Sequence, residues 1–280
     1  MTRLDTLTFR GDPVGVESER FARLRLLFKN EGLQKLQDAT VMVLGLGGVG
    51  SACAEALARG GVGNLIVLDR DVVEESNINR QALAFTSTLG KVKAEVMETM
   101  IKEIQPDCTV TAERVFLTPD NLAETLDKFP RPDYVIDCID TITQKLAVYQ
   151  WAAERGLNLV SSMGAANRLD PTMLQFANIR RTYNCSMSKV VRAECRKRQI
   201  YGLEVLFSTE LPFKVEKAPG AKAKGETLGS MSYMPPIMGQ MLAGKVIRQL
   251  GGIEEIPAPP YLGSQMEEKD DAGQHLTQPR

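Results

Sequence analysis

Gly45-Leu46-Gly47-Gly48-Val49-Gly50 joins two different hydrophobic patterns, and it constrains the fold more than any other segment. Before it, Thr40 to Leu44 is β-branched and apolar, as a buried strand requires. After it, Ser51 to Arg59 is a small-residue run that suits a helix lying close to a sheet. Glycines at such a junction permit a tight turn, let phosphate oxygens reach backbone amides, and bring helix and strand into contact. The helix N-terminus adds a field that favours negative charge. Asn64 to Leu68 reads as the next strand, and Asp69 at its end can accept two ribose hydroxyls. The combination predicts a nucleotide site on an α/β sheet, with Gly45, Gly47, Gly48, Gly50 and Asp69 as binding residues.

Strand and helix patterns continue to alternate. A helix is expected over 17–36, with Leu24, Leu27 and Phe28 at helical spacing and a break at Asn30-Glu31-Gly32. Another is expected over 91–104, where Val92, Val96, Met100 and Ile104 recur every four residues before Pro106. Strands are expected over 109–116, 134–139 and 157–161, and a helix over 144–155 closed by Gly156. This order predicts a Rossmann-like, mostly parallel sheet flanked by helices. Residues 1–16 read as a flexible arm, 17–170 as the nucleotide-binding domain, and 171–252 as a substrate-binding and dimerisation portion of the same fold. Residues 218–229 read as a mobile loop and 253–280 as a flexible acidic tail.

Composition removes several classes. Lys plus Arg number 34 against 35 Asp plus Glu, so total charge selects no partner; its distribution does. Arg168, Arg180, Arg181, Lys189, Arg192, Arg196, Lys197 and Arg198 crowd one segment, whereas Glu254, Glu255, Glu267, Glu268, Asp270 and Asp271 crowd the C-terminal end. Lys189, Arg192 and Arg196 share helical spacing, so with Arg180 and Arg181 they form a candidate RNA-binding face; a solvated helix is the plainer reading. The five cysteines contain no C-x-x-C pair, which argues against a four-cysteine zinc site and for a reducing, cytoplasmic setting. The first twelve residues leave an organellar address open. The most apolar stretch, 229–250, is interrupted by Ser230, Ser232, Gln240, Lys245 and Arg248, and reads as a core helix rather than a membrane span.

The segment after Asp69 is polar: Asp71, Glu74, Glu75, Asn77, Asn79, Arg80 and Gln81, with Lys93 beyond it. Arg80 and Lys93 suit a triphosphate, whose charge they can neutralise as it develops, better than a redox dinucleotide. A hydrogen-bonded surface loop is the alternative. Asp137 and Asp140 fall at the end of a hydrophobic strand, on the sheet edge where open α/β folds bind ligands. Asp140 is the candidate Mg²⁺ ligand, and Asp137 is an acid of the same type or a loop anchor. Cys185 is the tempting nucleophile among the cysteines, because it lies in the basic stretch, but a catalytic cysteine is the lesser reading; Cys138 reads as buried and Cys53 as facing helix packing.

Gly45 to Gly50, Asp69, Asn77-Ile78-Asn79-Arg80-Gln81, Gly90-Lys91-Val92-Lys93 and Asp137-Cys138-Ile139-Asp140 together resemble the ubiquitin-activating-type adenylyltransferase superfamily. The resemblance implies ATP bound with Asp69 on the ribose, and Asn79, Arg80 and Lys93 on the phosphates. It places Asp140 beside Mg²⁺ and the reacting phosphate. It also implies a homodimer in which Arg20 or Arg23 reaches the partner's nucleotide. The second half, in Ser161 to Ala166, Leu169-Asp170-Pro171, Val205 to Glu210 and Gly229 to Pro236, resembles the tRNA threonylcarbamoyladenosine dehydratase family. That resemblance implies ATP-dependent cyclising dehydration of the modified adenosine through an acyl-adenylate, and tRNA as partner. A sulfur-transfer partner protein is a further class it allows. One departure stands out: Cys185-Ser186-Met187 occupies a position where relatives usually carry an Asp-Pro-Leu-like pattern. Two other functions use the same residues. One is adenylation of the C-terminal glycine of a ubiquitin-like or sulfur-carrier protein. The other is a non-catalytic, nucleotide-sensing RNA-binding scaffold.

Overall fold

The computed structural model describes residues 18–215 and 228–253. The expected arm over 1–16, nearly all of the 218–229 loop and the tail beyond 253 lie outside the described residues.

One seven-stranded sheet organises the chain. Its strands are β1 (Thr40–Leu44), β2 (Asn64–Leu68), β3 (Thr109–Glu113), β4 (Tyr134–Asp137), β5 (Leu159–Ser162), β6 (Leu174–Asn178) and β7 (Glu204–Ser208). They lie in the order β3-β2-β1-β4-β5-β7-β6, all parallel except β6, which runs antiparallel to β7. Val41, Val43, Leu65 and Val67 pack on one face; Met42, Leu44, Ile66 and Leu68 pack on the other. Both faces are buried, which is why these strands read as continuous apolar runs rather than alternating ones.

The helices are α1 (Ala22–Asp38), α2 (Gly48–Arg59), α3 (Lys93–Ile104), α4 (Leu122–Leu126), α5 (Ile142–Glu154), α6 (Ser186–Lys197) and α7 (Met234–Leu250). Helix α7 lies against α2 so closely that a Cβ on Gly239 would sit 2.2 Å from the Val49 carbonyl oxygen. The apolar 229–250 stretch is thus a core helix, with Met238, Leu242 and Val246 fully buried.

Helix α1 departs from the sequence reading. Its interruption falls at Lys29, in a positive-φ conformation, and helix continues through Asn30-Glu31-Gly32 to Asp38. Gly32 belongs there for a packing reason: a Cβ would approach the Gly251 carbonyl oxygen to 2.7 Å. Leu27 also fails to join the core. It is 69% exposed and its neighbour Leu26 84%, whereas Phe28 is buried.

Candidate active site

Strand order reverses beside β1: the chain runs outward through β2 and β3, then returns to place β4 on the other side. The loops at the C-terminal ends of β1 and β4 therefore part, and a cleft of about 760 Å³ opens there. Gly45, Gly47, Gly48, Asp69, Arg80, Lys93 and Asp140 all line it. The three residues predicted for chemistry, Arg80, Lys93 and Asp140, come from separate loops and share one cavity.

The glycine turn has separable parts. Gly45 has φ +87°, and any Cβ there would also press on the Cys138–Ile139 peptide of the β4 loop. A Cβ on Gly47 would meet nothing within 4 Å, so this position faces open space. No side chain caps α2, which leaves its first-turn amides and dipole turned toward the cleft. Gly50 does not line the cavity. Its Cα lies against the turn itself, where an added Cβ would be 1.7 Å from the Gly45 oxygen; its role is close packing rather than ligand contact.

Asp69 is tied to this turn. One carboxylate oxygen accepts the Leu46 amide at 2.6 Å and the other accepts the Asp71 amide at 2.8 Å. Beyond it, Val115, Phe116 and Leu117 form an apolar wall of the cleft, with the Arg70 guanidinium 4.5 Å above the Phe116 ring. These three residues escaped the sequence reading because an apolar segment after a strand resembles more strand.

The polar segment 71–81 is a folded flap. Asn77 is buried and accepts the Glu74 amide, while the Glu74 carbonyl accepts the Asn77 amide. Arg80 donates to the Ser76 carbonyl at 2.7 Å and to Asn79 Oδ1 at 2.8 Å. Asn79 itself stays out of the cavity: it braces Arg80 and donates to the Ser230 carbonyl, pinning the flap to the approach to α7. Lys93, the first residue of α3, is 5% exposed, with its ammonium 3.5 Å from an Asp71 carboxylate oxygen.

Asp140 is exposed at the cleft and accepts a hydrogen bond from the Thr141 hydroxyl at 3.3 Å. Asp137, three residues earlier, is fully buried and serves as the loop anchor. One of its oxygens accepts the Ile139 amide at 3.0 Å; the other is 2.8 Å from the Lys145 ammonium. Lys145 also donates to Ser161 Oγ and the Ser162 carbonyl, so all three of its protons are used inside the core. This pair was missed in the sequence, although a lysine preceding Leu146-Ala147-Val148 on an apolar helix was a readable signal. Cys138 corrects another expectation: it is half-buried and lines the cleft rather than lying in the core.

The remaining predicted residues lie elsewhere. Neither Arg20 nor Arg23 lines this chain's own cleft; Arg20 donates to the Ile104 carbonyl. Arg180, Arg181, Lys189 and Arg196 are exposed. Arg192 is not free in the same way, because its guanidinium donates to the Thr182 carbonyl at 2.7 Å and the Thr182 hydroxyl at 2.8 Å. At the far end of the cleft, Gly164 and Arg168 were not read as a site from sequence, whereas Cys185 and Met187 had been singled out one by one and not as part of a cleft.

A family model described as the ThiF family matches residues 21–275. The chain belongs to the ThiF family. Among ThiF-family relatives, tRNA threonylcarbamoyladenosine dehydratase of Bacillus subtilis is 40% identical over 242 residues, covering 82% of this chain and 94% of that protein. The Escherichia coli enzyme of the same name is 36% identical over 200 residues, covering 69% and 74%. The crystal structure of the E. coli dehydratase in complex with ATP superposes with a TM-score of 0.74 at 31% identity, over 82% of this chain and 93% of that one. The ThiF-family fold, a mostly parallel sheet between helices, is therefore common to both.

Proposed function

We propose that this protein is an ATP-dependent dehydratase of threonylcarbamoyladenosine in tRNA. The observation that carries this reading is the convergence of Arg80, Lys93 and Asp140 on one cleft over an uncapped helix N-terminus, in a chain 40% identical to such a dehydratase along most of its length. The adenine would lie on the apolar wall at Val115 to Leu117, the ribose at Asp69, and the phosphates over Gly47 and Gly48. Arg80 and Lys93 supply positive charge where negative charge builds on the reacting phosphate. Each is held by neutral or acidic partners until a phosphate offers a stronger one.

The substrate carboxylate is a poor electrophile. Its attack on the α-phosphorus releases pyrophosphate and gives an acyl-adenylate; attack from within the side chain then closes a ring and expels AMP. Net loss of water results. Asp140 fits a Mg²⁺ site, because its carboxylate is exposed on the wall of the cleft that would hold the phosphates. One carboxylate completed by phosphate oxygens and water is the usual way this ion is held, and it would supply charge neutralisation at the triphosphate.

Exposed Leu26 and Leu27 on α1 would be covered by a second copy in a homodimer, from which Arg20 or Arg23 reaches the neighbouring cleft. The exposed Arg180, Arg181, Lys189 and Arg196 would track tRNA phosphates. Purified protein, ATP and threonylcarbamoyladenosine-bearing tRNA provide the test. AMP release with loss of one water from the nucleoside supports the assignment. AMP formation only with a Gly-Gly-ended carrier protein, or nucleotide binding with no turnover, would overturn it.

A further inference from the structure

The far end of the cleft contains a corner rich in hydrogen-bond donors and poor in acceptors. Cys185 occupies the N-cap of α6, and its sulfur accepts the Ser188 amide at 3.4 Å. The sulfur borders the cavity beside Gly164, where a Cβ added to the glycine would stand 3.9 Å from it. Arg168, 3% exposed, reaches into the same corner and donates to the carbonyls of Asn184 and Glu210. Its Nε is buried without a partner. So is the hydroxyl of Ser188, on the first turn of α6. Glu210 does not compensate Arg168 with its carboxylate, which accepts the amides of Leu169 and Asp170 instead. Asp170 is likewise occupied with Thr172. The sulfur thus caps the N-terminus of a twelve-residue helix and accepts its Ser188 amide, with an under-paired guanidinium and an under-paired hydroxyl in the same corner, a setting that favours a charged sulfur.

We propose that Cys185 is a modification site, a nucleophilic sulfur in the cleft wall that reacts with hydrogen peroxide and with small neutral electrophiles entering the cleft. Burial pushes the thiol up, but the nearby Ser188 hydroxyl, the Ser188 and Gly164 amides and the charge of Arg168 outweigh it and hold the group below the ordinary thiol value. The remaining buried cysteines differ. Burial pushes Cys108 and Cys195 up to about 11, and Cys53 well above the usual value. With peroxide, an S–O bond forms as the O–O bond breaks. Hydroxide leaves and is protonated by solvent, and the sulfur, oxidised by two electrons, becomes a sulfenic acid. With iodoacetamide, an S–C bond forms and iodide departs. Either product adds bulk beside Gly164 and Met187, two strands along the sheet from the glycine turn. The functional reading above puts the nucleotide at the other end and leaves this one for the RNA substrate, so the effect on turnover rests on that reading; the reactivity of the sulfur does not.

The full-length protein is treated with iodoacetamide at pH 7 and its cysteine peptides are quantified by mass spectrometry. Cys185 is expected to label at least about tenfold faster than Cys53, Cys108 and Cys195, with a rate–pH midpoint below the ordinary thiol value of about 8.5. Labelling no faster than the buried cysteines, or a midpoint at or above that value, overturns the proposal. Ser188→Ala should slow Cys185 labelling several-fold at pH 7 and raise its midpoint, with the protein still folded by circular dichroism. An unchanged midpoint would show that the donors do not act on the sulfur. Peroxide should lower tRNA-dependent AMP release while ATP binding persists, and the Cys185→Ser protein should keep its own untreated rate. Loss of ATP binding on labelling would contradict the far-end placement. A protein that labels as expected but never releases AMP would instead sink the functional reading alone.

Discussion

Replacing Lys145 by methionine leaves the Asp137 carboxylate fully buried without its cation. The present arrangement is complete: a 2.8 Å ion pair, two further bonds from the ammonium, and a Ser161 hydroxyl that donates to the same carboxylate oxygen at 2.7 Å while contacting Tyr149. Removing one member of such a pair costs about 3–5 kcal/mol, mostly from the charge left unpaired. For a domain of this size each kcal/mol lowers the melting temperature by roughly 2–4 °C, so the expected drop is about 6–20 °C. The double change Asp137→Asn with Lys145→Met removes both charges and should recover much of that loss. Thermal melts of the four proteins complete the cycle. A drop below about 2 °C for Lys145→Met, or a double variant no more stable than the single one, would refute this account of the pair. Asp137 also accepts the Ile139 amide, so a carboxylate that moves toward water once Lys145 is gone should pull on the loop carrying Asp140 and lower AMP formation more than the melt alone explains.

Asp140→Ala should cut AMP formation at least about a hundredfold and leave melting unchanged, since the carboxylate is exposed; near-normal turnover would remove it from the chemistry. Gly47→Ala should melt within about 0.5 kcal/mol of the parent but bind ATP less well, because its methyl projects into open cleft. Gly45→Ala should instead cost about 1–3 kcal/mol of stability, because its φ of +87° does not suit a side chain. Equal stability of the two would contradict the division of roles in the turn. Lys189→Glu with Arg196→Glu should weaken tRNA binding and flatten its salt dependence by about two phosphate contacts, with ATP affinity untouched. Equal tRNA affinity would discard the α6 face.

What could be read from the sequence was what local period and turn chemistry determine. The β1–glycine–α2–β2 unit, Asp69 and the helix-ending Gly156 each depend on near neighbours, and each lies where the pattern put it. Arg80, Lys93 and Asp140 could be picked out as candidates by their place beside strand ends, and the fold brings all three to one cleft. Positions fixed by distant contacts were harder. Leu27 fits a helical stripe with Leu24 and Phe28 yet is exposed, and the helix is interrupted two residues later, at Lys29. Asn79 is a phosphate-contact candidate only by resemblance; the partners it has here, Arg80 and Ser230, come together only in the folded protein. Arg192 shares the spacing of Lys189 and Arg196, yet Thr182, ten residues earlier, turns it inward. Lys145 matters only because β5 brings Ser161 and Ser162 beside β4.

In this mechanism one oxygen of the substrate's carboxylate joins the α-phosphorus and leaves as part of AMP. Supplying tRNA whose threonyl carboxylate carries heavy oxygen, together with unlabelled ATP, tests it in a single mass spectrum of the nucleotide product. One heavy oxygen in AMP is expected for each nucleoside that loses water. AMP without label, beside a dehydrated nucleoside, would mean that the oxygen left by another route and would contradict it.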